Sequence, residues 1–163
     1  MAENKSEYKK PIRKTDMDAL YPLIEEIIKD GKTVNMKIAG TSMFPLVAHR
    51  RDSVVLGSFD KLKKGDVPLY KRDDGKYILH RIIKEKNGAF AIMGDFETEI
   101  EYPVSKKAVL AVAKGFYRKG KYISCESFSY KVYCFLWGIL RPVRPLLLKI
   151  IRLVSKIKRK FTK

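Results

Sequence analysis

Between Thr33 and Tyr117 the apolar residues come in short runs, cut at close intervals by turn-forming residues. That rhythm points to β structure for the middle of the chain. Val34, Met36 and Ile38 alternate with Asn35 and Lys37, the pattern of a half-buried strand. Further strands are expected at Ser53–Leu56, Val67–Tyr70, Tyr77–Lys84, Phe90–Met93 and Val109–Tyr117. The turn signals between them are Lys63-Lys64-Gly65-Asp66, Asp73-Asp74-Gly75 and Asn87-Gly88. A mainly β fold follows, a barrel or folded sheet.

The two ends read differently. Residues 1–14 are a polar leader. Thr15 or Asp16 can cap a helix in which Met17, Leu20, Leu23, Ile24, Ile27 and Ile28 share a face, and Gly31 ends it. The β region is expected over 32–123, and a basic, hydrophobic tail over 124–163. In the tail, Leu146, Leu147, Ile150, Ile151, Leu153, Val154 and Ile157 are apolar at helical spacing. Lys149, Arg152, Lys156, Arg159, Lys160 and Lys163 form a cationic stripe. A basic amphipathic helix of this kind suits the plane of a membrane surface.

Charge sharpens the division. The chain of 163 residues carries 35 Lys+Arg against 18 Asp+Glu, a net +17. From Lys114 to Lys163 there are 14 basic residues and one acid, Glu126. An anionic partner is expected there. A stripe opposite an apolar face fits lipid headgroups better than bare phosphate, so nucleic acid is not the expected partner. No secretory signal peptide is visible at the N-terminus, and no uncharged run reaches the roughly 20 residues of a spanning helix. The longest apolar stretch, Val132 to Leu140, is followed by Arg141, Pro142, Arg144 and Pro145. A re-entrant or short spanning arrangement of Tyr130–Leu140 is the alternative to a surface-lying tail. Cys125 and Cys134 show no metal-ligand spacing and fit a reducing compartment. No metal or cofactor is expected.

Three places could carry chemistry. The strand ending at Ile38 runs into Ala39-Gly40-Thr41-Ser42-Met43-Phe44-Pro45. Gly40 permits an unusual backbone angle and Pro45 disfavours helix at Phe44, so Ser42 is expected on a bent, exposed backbone. His80 lies inside the apolar run Tyr77-Ile78-Leu79-His80-Arg81-Ile82-Ile83, and Met93-Gly94-Asp95 precedes Glu101. Taken singly, each has an ordinary structural explanation: a turn serine, a core histidine, a Gly-Asp turn.

Their order and spacing together resemble the type I signal peptidase superfamily, which includes the self-cleaving phage and SOS repressors. The resemblance rests on Gly-Thr-Ser-Met-Phe-Pro, Lys-Lys-Gly-Asp-Val-Pro-Leu-Tyr, Leu-His-Arg-Ile-Ile and Met-Gly-Asp, and covers roughly Thr33 to Lys119. His80-Arg81 stands where one branch has Lys-Arg, so the chain resembles the histidine type of the endoplasmic reticulum and archaea. The resemblance implies a serine endopeptidase. Ser42 matches the nucleophile and His80 its general base. Asp95 matches the first acid of that type, and Glu101 the second, with Glu where that type has Asp. Either could orient the imidazole. Backbone N–H near Ser42 would meet the oxyanion, and the substrate would add as an extended strand. His49 reads as solvated surface, Asp52 as structural, and Arg81 as a structural ion-pair partner.

A typical signal peptidase has a transmembrane helix ahead of its serine box. Here a polar leader and an amphipathic helix stand there instead, and the membrane element is the cationic tail. The expectation is a peptidase associated with the cytoplasmic face of a membrane, acting on a signal or leader peptide. The alternatives are a self-cleaving regulator of the same fold and a non-enzymatic basic module that docks on lipid.

Overall fold

The computed structural model describes residues 17–161. The polar leader, the capping Thr15 and Asp16, and Lys163 lie outside them, as do the side chains of Met17, Lys156, Arg159 and Lys160. The chain is mainly β, with helices at its two ends. Helix α1 (Met17–Lys29) buries Ile24 and Ile28 against the first sheet, while Leu23 faces solvent. Nine strands follow: β1 (Val34–Lys37), β2 (Ser53–Gly57), β3 (Pro68–Lys71), β4 (Tyr77–Leu79), β5 (Arg81–Lys86), β6 (Ala89–Met93), β7 (Glu101–Ser105), β8 (Val109–Arg118) and β9 (Lys121–Ser124). Helices α2 (Phe128–Ile139) and α3 (Arg144–Phe161) complete the described chain.

The strands form two antiparallel sheets. In the first the order is β1-β2-β8-β3-β4, with β9 also on β8; in the second it is β5-β6-β7. The long strand β8 organises the first sheet. It pairs with β2 along one edge, and with β3 and β9 at opposite ends of the other. Register shifts at Val55/Leu56 and Leu69/Tyr70 mark bulges, which increase local twist and curl the sheet. The apolar residues divide accordingly. Leu56, Val67, Ala111 and Phe116 pack with α1 and the Ser42 loop, whereas Ile82, Phe90, Ile92 and Val104 pack with Tyr70 and Val112 between the sheets.

Two turns explain two hairpins. Asn87-Gly88 and Lys119-Gly120 both hold positive φ at both positions, the conformation that matches the twist of flanking strands in a two-residue hairpin. The expected single strand Tyr77–Lys84 is interrupted. Tyr77–Leu79 belongs to the first sheet and Arg81–Lys86 to the second, with His80 the one residue between them. The chain changes sheets there because Leu69↔Leu79 and Arg81↔Met93 pair with different partners.

Candidate active site

Ser42 sits in a tight loop anchored from below. Ile38, Met43, Leu46 and Val47 are buried in the core, which fixes both sides of the serine. Gly40 takes φ +98°, and its N–H donates to His49 Nδ1 at 2.7 Å. His49 is exposed, as expected, but it also holds the loop ahead of Ser42. Asp52 closes the loop from the other end. Its buried carboxylate accepts from Ala48 N at 2.8 Å, Lys119 N at 3.0 Å and Arg51 Nε at 2.8 Å. The hydrogen bond from Arg51, with those two backbone donors, holds this carboxyl well below its ordinary range.

The loop meets the turn after β6. Ser42 accepts at its carbonyl from Phe96 N at 2.7 Å. Gly94 makes the approach possible, since a Cβ there would stand 2.8 Å from the same carbonyl oxygen. One residue beyond Phe96, the carboxylate of Glu97 lies 3.5 Å from His80 Nε2. The turn Gly94–Glu97 thus touches Ser42 through its backbone and His80 through a side chain.

His80 is 3% exposed, and its Nδ1 is buried with no hydrogen-bond partner. Burial lowers its pKa from the ordinary 6.5, and the charge of Glu97 opposes that shift. The imidazole is therefore neutral at pH 7. A carboxylate beside Nε2 favours the tautomer protonated there, which leaves Nδ1 with a free lone pair. Ser42 is not bonded to that nitrogen, and the cavity of ≈ 590 Å³ beside His80 is lined by Glu97, Glu101, Arg72 and Arg152 but not by Ser42.

The other two acids have other partners. Asp95 is fully buried and accepts from Arg81 Nε and Nη2, both at 2.8 Å, in a bidentate pair, as expected of Arg81. Tyr133 Oη adds a third bond at 3.0 Å to Asp95, and Trp137 Nε1 donates to its carbonyl at 3.2 Å. Glu101 accepts from Tyr70 Oη at 2.7 Å and Arg72 Nε at 2.8 Å. Burial pushes the Glu101 carboxyl up, but those hydrogen bonds outweigh it and hold the group below its ordinary value. The acid facing His80 is Glu97, which the sequence reading did not single out. Its position two residues after Asp95, on the turn that leaves β6, was the available signal.

Helix α2 braces this arrangement. Ser127 caps it by accepting from Tyr130 N at 3.3 Å. Tyr130, Tyr133, Cys134 and Trp137 then share one face at helical spacing. Tyr130 Oη and Cys134 Sγ receive Arg81 Nη1 at 3.1 Å and 3.0 Å, while Tyr133 and Trp137 reach Asp95. The residue following His80 and the residue following Gly94 are tied to one helix. Among the described residues no group of acids, histidines or cysteines is arranged to hold a metal ion.

Neither a scan against protein-family models nor a search of curated proteins finds a match for the chain.

Proposed function

We propose that the protein is a serine endopeptidase of the signal-peptidase kind, with Ser42 as nucleophile and His80 as general base. The observation that carries this reading is His80 itself: a buried, neutral imidazole with one nitrogen beside a carboxylate and the other unpaired. A buried unpaired acceptor costs about 1–3 kcal/mol, so a function is the natural reason to keep one. Ser42 is held against the same turn that presents Glu97 to His80. The proposed reaction requires Ser42 Oγ to come within hydrogen-bond reach of His80 Nδ1.

In the reaction, His80 takes the serine proton as Oγ attacks the scissile carbonyl, then returns it to the leaving amine. Glu97 steadies the imidazolium that forms between those steps. Asp95 and Glu101, the acids implied by the resemblance, act at one remove. Asp95 fixes Arg81 beside the base, and Glu101 fixes Arg72 on the cavity wall. The substrate is an extended peptide, a signal or leader segment, met at the cytoplasmic face of an anionic membrane through the basic C-terminal tail. No cofactor is needed for this chemistry.

The test is cleavage of a peptide library followed by mass spectrometry, with Ser42→Ala and His80→Ala as controls. Loss of cleavage in both variants is the expected result. Unchanged cleavage in Ser42→Ala overturns the proposal.

A further inference from the structure

Helices α2 and α3 each turn one face inward and leave an apolar face outside. The inward face of α2 reaches Arg81 and Asp95. The inward face of α3 carries Arg144, which lies over the Trp137 ring at 5.2 Å and donates to Trp137 O at 2.9 Å. Leu148 is buried one turn later, and Arg152 follows on the Phe96 ring at 5.2 Å. The two helices are therefore one hairpin, stapled at Arg144, and their outward residues belong to no core.

Those outward residues are unusually concentrated. Among the described residues 17 large hydrophobic side chains are strongly exposed, and 12 of them fall between Phe128 and Ile157. They continue without a break in the chain from Phe135, Leu136 and Ile139 on α2, through the turn at Val143, to Leu146, Ile150 and Leu153 on α3. A patch of this kind marks an interaction surface. From Ser127 to Lys163 the chain has 10 Lys+Arg and no acid.

We propose that the outward faces of α2 and α3, with the turn between them, form a single seat for an anionic lipid bilayer. Charge selects the occupant. Two copies of this face would bring like charges together, and a nucleic acid would leave the apolar side chains wet. An anionic bilayer offers headgroups to the exposed Arg141 and Lys149, and to the further lysines that the sequence carries after them, and acyl chains to the leucines and isoleucines. The helices lie in the interface. No described helix is long and apolar enough to cross a membrane, and the 12 residues of α2 extend about 18 Å against a hydrocarbon core of roughly 30 Å. Tyr130–Leu140 is thus not a span but half of the seat.

The full chain is co-sedimented with phosphatidylcholine vesicles, with and without phosphatidylglycerol. Binding is expected only with phosphatidylglycerol, and weaker as salt rises. Phe135→Ser combined with Leu136→Ser is expected to lower the partition coefficient about tenfold or more, with an unchanged circular dichroism spectrum. Leu23→Ser, exposed on α1, and Ser42→Ala are expected to bind as wild type, so a failed peptidase reading leaves the seat standing. The proposal is overturned if the α2 double variant binds like wild type or if neutral vesicles bind equally well. It is also overturned if the free protein is a dimer that the double variant dissolves.

Discussion

Replacing Gly94 with alanine tests whether one turn relates Ser42 to His80. The added Cβ would stand 2.8 Å from Ser42 O and 2.9 Å from Glu97 Cδ and Oε2. Those separations are about half an ångström short of ordinary contact. Glu97 can swing away, because its side chain is partly exposed. The Ser42 carbonyl cannot move freely, since it belongs to backbone held by Met43 beneath it and accepts from Phe96 N at 2.7 Å. The loop and the turn must part. Overpacking of this kind costs about 1–3 kcal/mol, so Tm falls by roughly 2–12 °C for a domain of this length. Displacing a catalytic group by about 1 Å can cost roughly 10²-fold, so half that movement lowers kcat/KM by about 10-fold. Gly138→Ala is the control: it lies in α2 with open space around it, and gains about 0.5–1 kcal/mol. Calorimetry and a cleavage assay on the peptide selected from the library read both effects. A lowered Tm with wild-type kcat/KM refutes the role given to the turn, and an unchanged Tm refutes the contact itself.

Glu97→Gln removes a charge that raises the His80 pKa, so the acid limb of the kcat/KM profile moves further below pH 6.5 and the plateau falls. Glu101→Gln moves that limb less, because Glu101 is already bonded to Arg72; a larger shift there makes Glu101 the orienting acid. Asp95→Asn leaves Arg81 buried without its partner and costs about 3–5 kcal/mol by chemical denaturation; a loss under 1 kcal/mol speaks against the bracing role of α2. His80→Leu abolishes cleavage yet raises or preserves Tm at pH 7, because it removes an unpaired buried nitrogen. The wild type, whose folded His80 pKa is depressed, keeps its full stability above pH 6.5 and loses part of it as pH falls through that value; His80→Leu lacks that loss.

The β region was legible because its turns obey local rules. Asn87-Gly88 announced the β5–β6 hairpin, and strands at Ser53, Phe90 and Val109 lie within a residue or two of their expected bounds. Lys119-Gly120 makes the same turn, but lysine carries no comparable preference for positive φ, and β9 went unseen. Strand β7 was hidden by Pro103, which edge strands tolerate; among the described residues β7 pairs only with β6. The aromatic, β-branched run at Tyr130–Leu140 did not read as a helix, since its inward face is chosen by Arg81 and Asp95 rather than by a simple apolar stripe. The candidates Ser42, His80, Asp95 and Glu101 come from their motifs, and Arg81 stands in the ion pair expected of it. Which carboxylate faces the imidazole is set by the turn between β6 and β7, where Glu97 stands two residues past the Gly-Asp motif that drew attention to Asp95.

The position of His80 joins fold to chemistry. A histidine within a continuous strand would alternate into one face and pair with that sheet's neighbours. Here the chain leaves the first sheet at Leu79 and enters the second at Arg81, so His80 lies at the junction. Burial at that junction lowers its pKa and favours the unprotonated form at neutral pH, the state that the proposed general base must start from. The same burial leaves Nδ1 without a hydrogen-bond partner, a local cost to the fold. Beside that junction stands the Arg81–Asp95 pair, with Tyr130, Tyr133, Cys134 and Trp137 of α2 closed over it. In the proposed peptidase, a helix that binds the residue after His80 on one face and exposes apolar side chains on the other belongs to the site as much as to the tail.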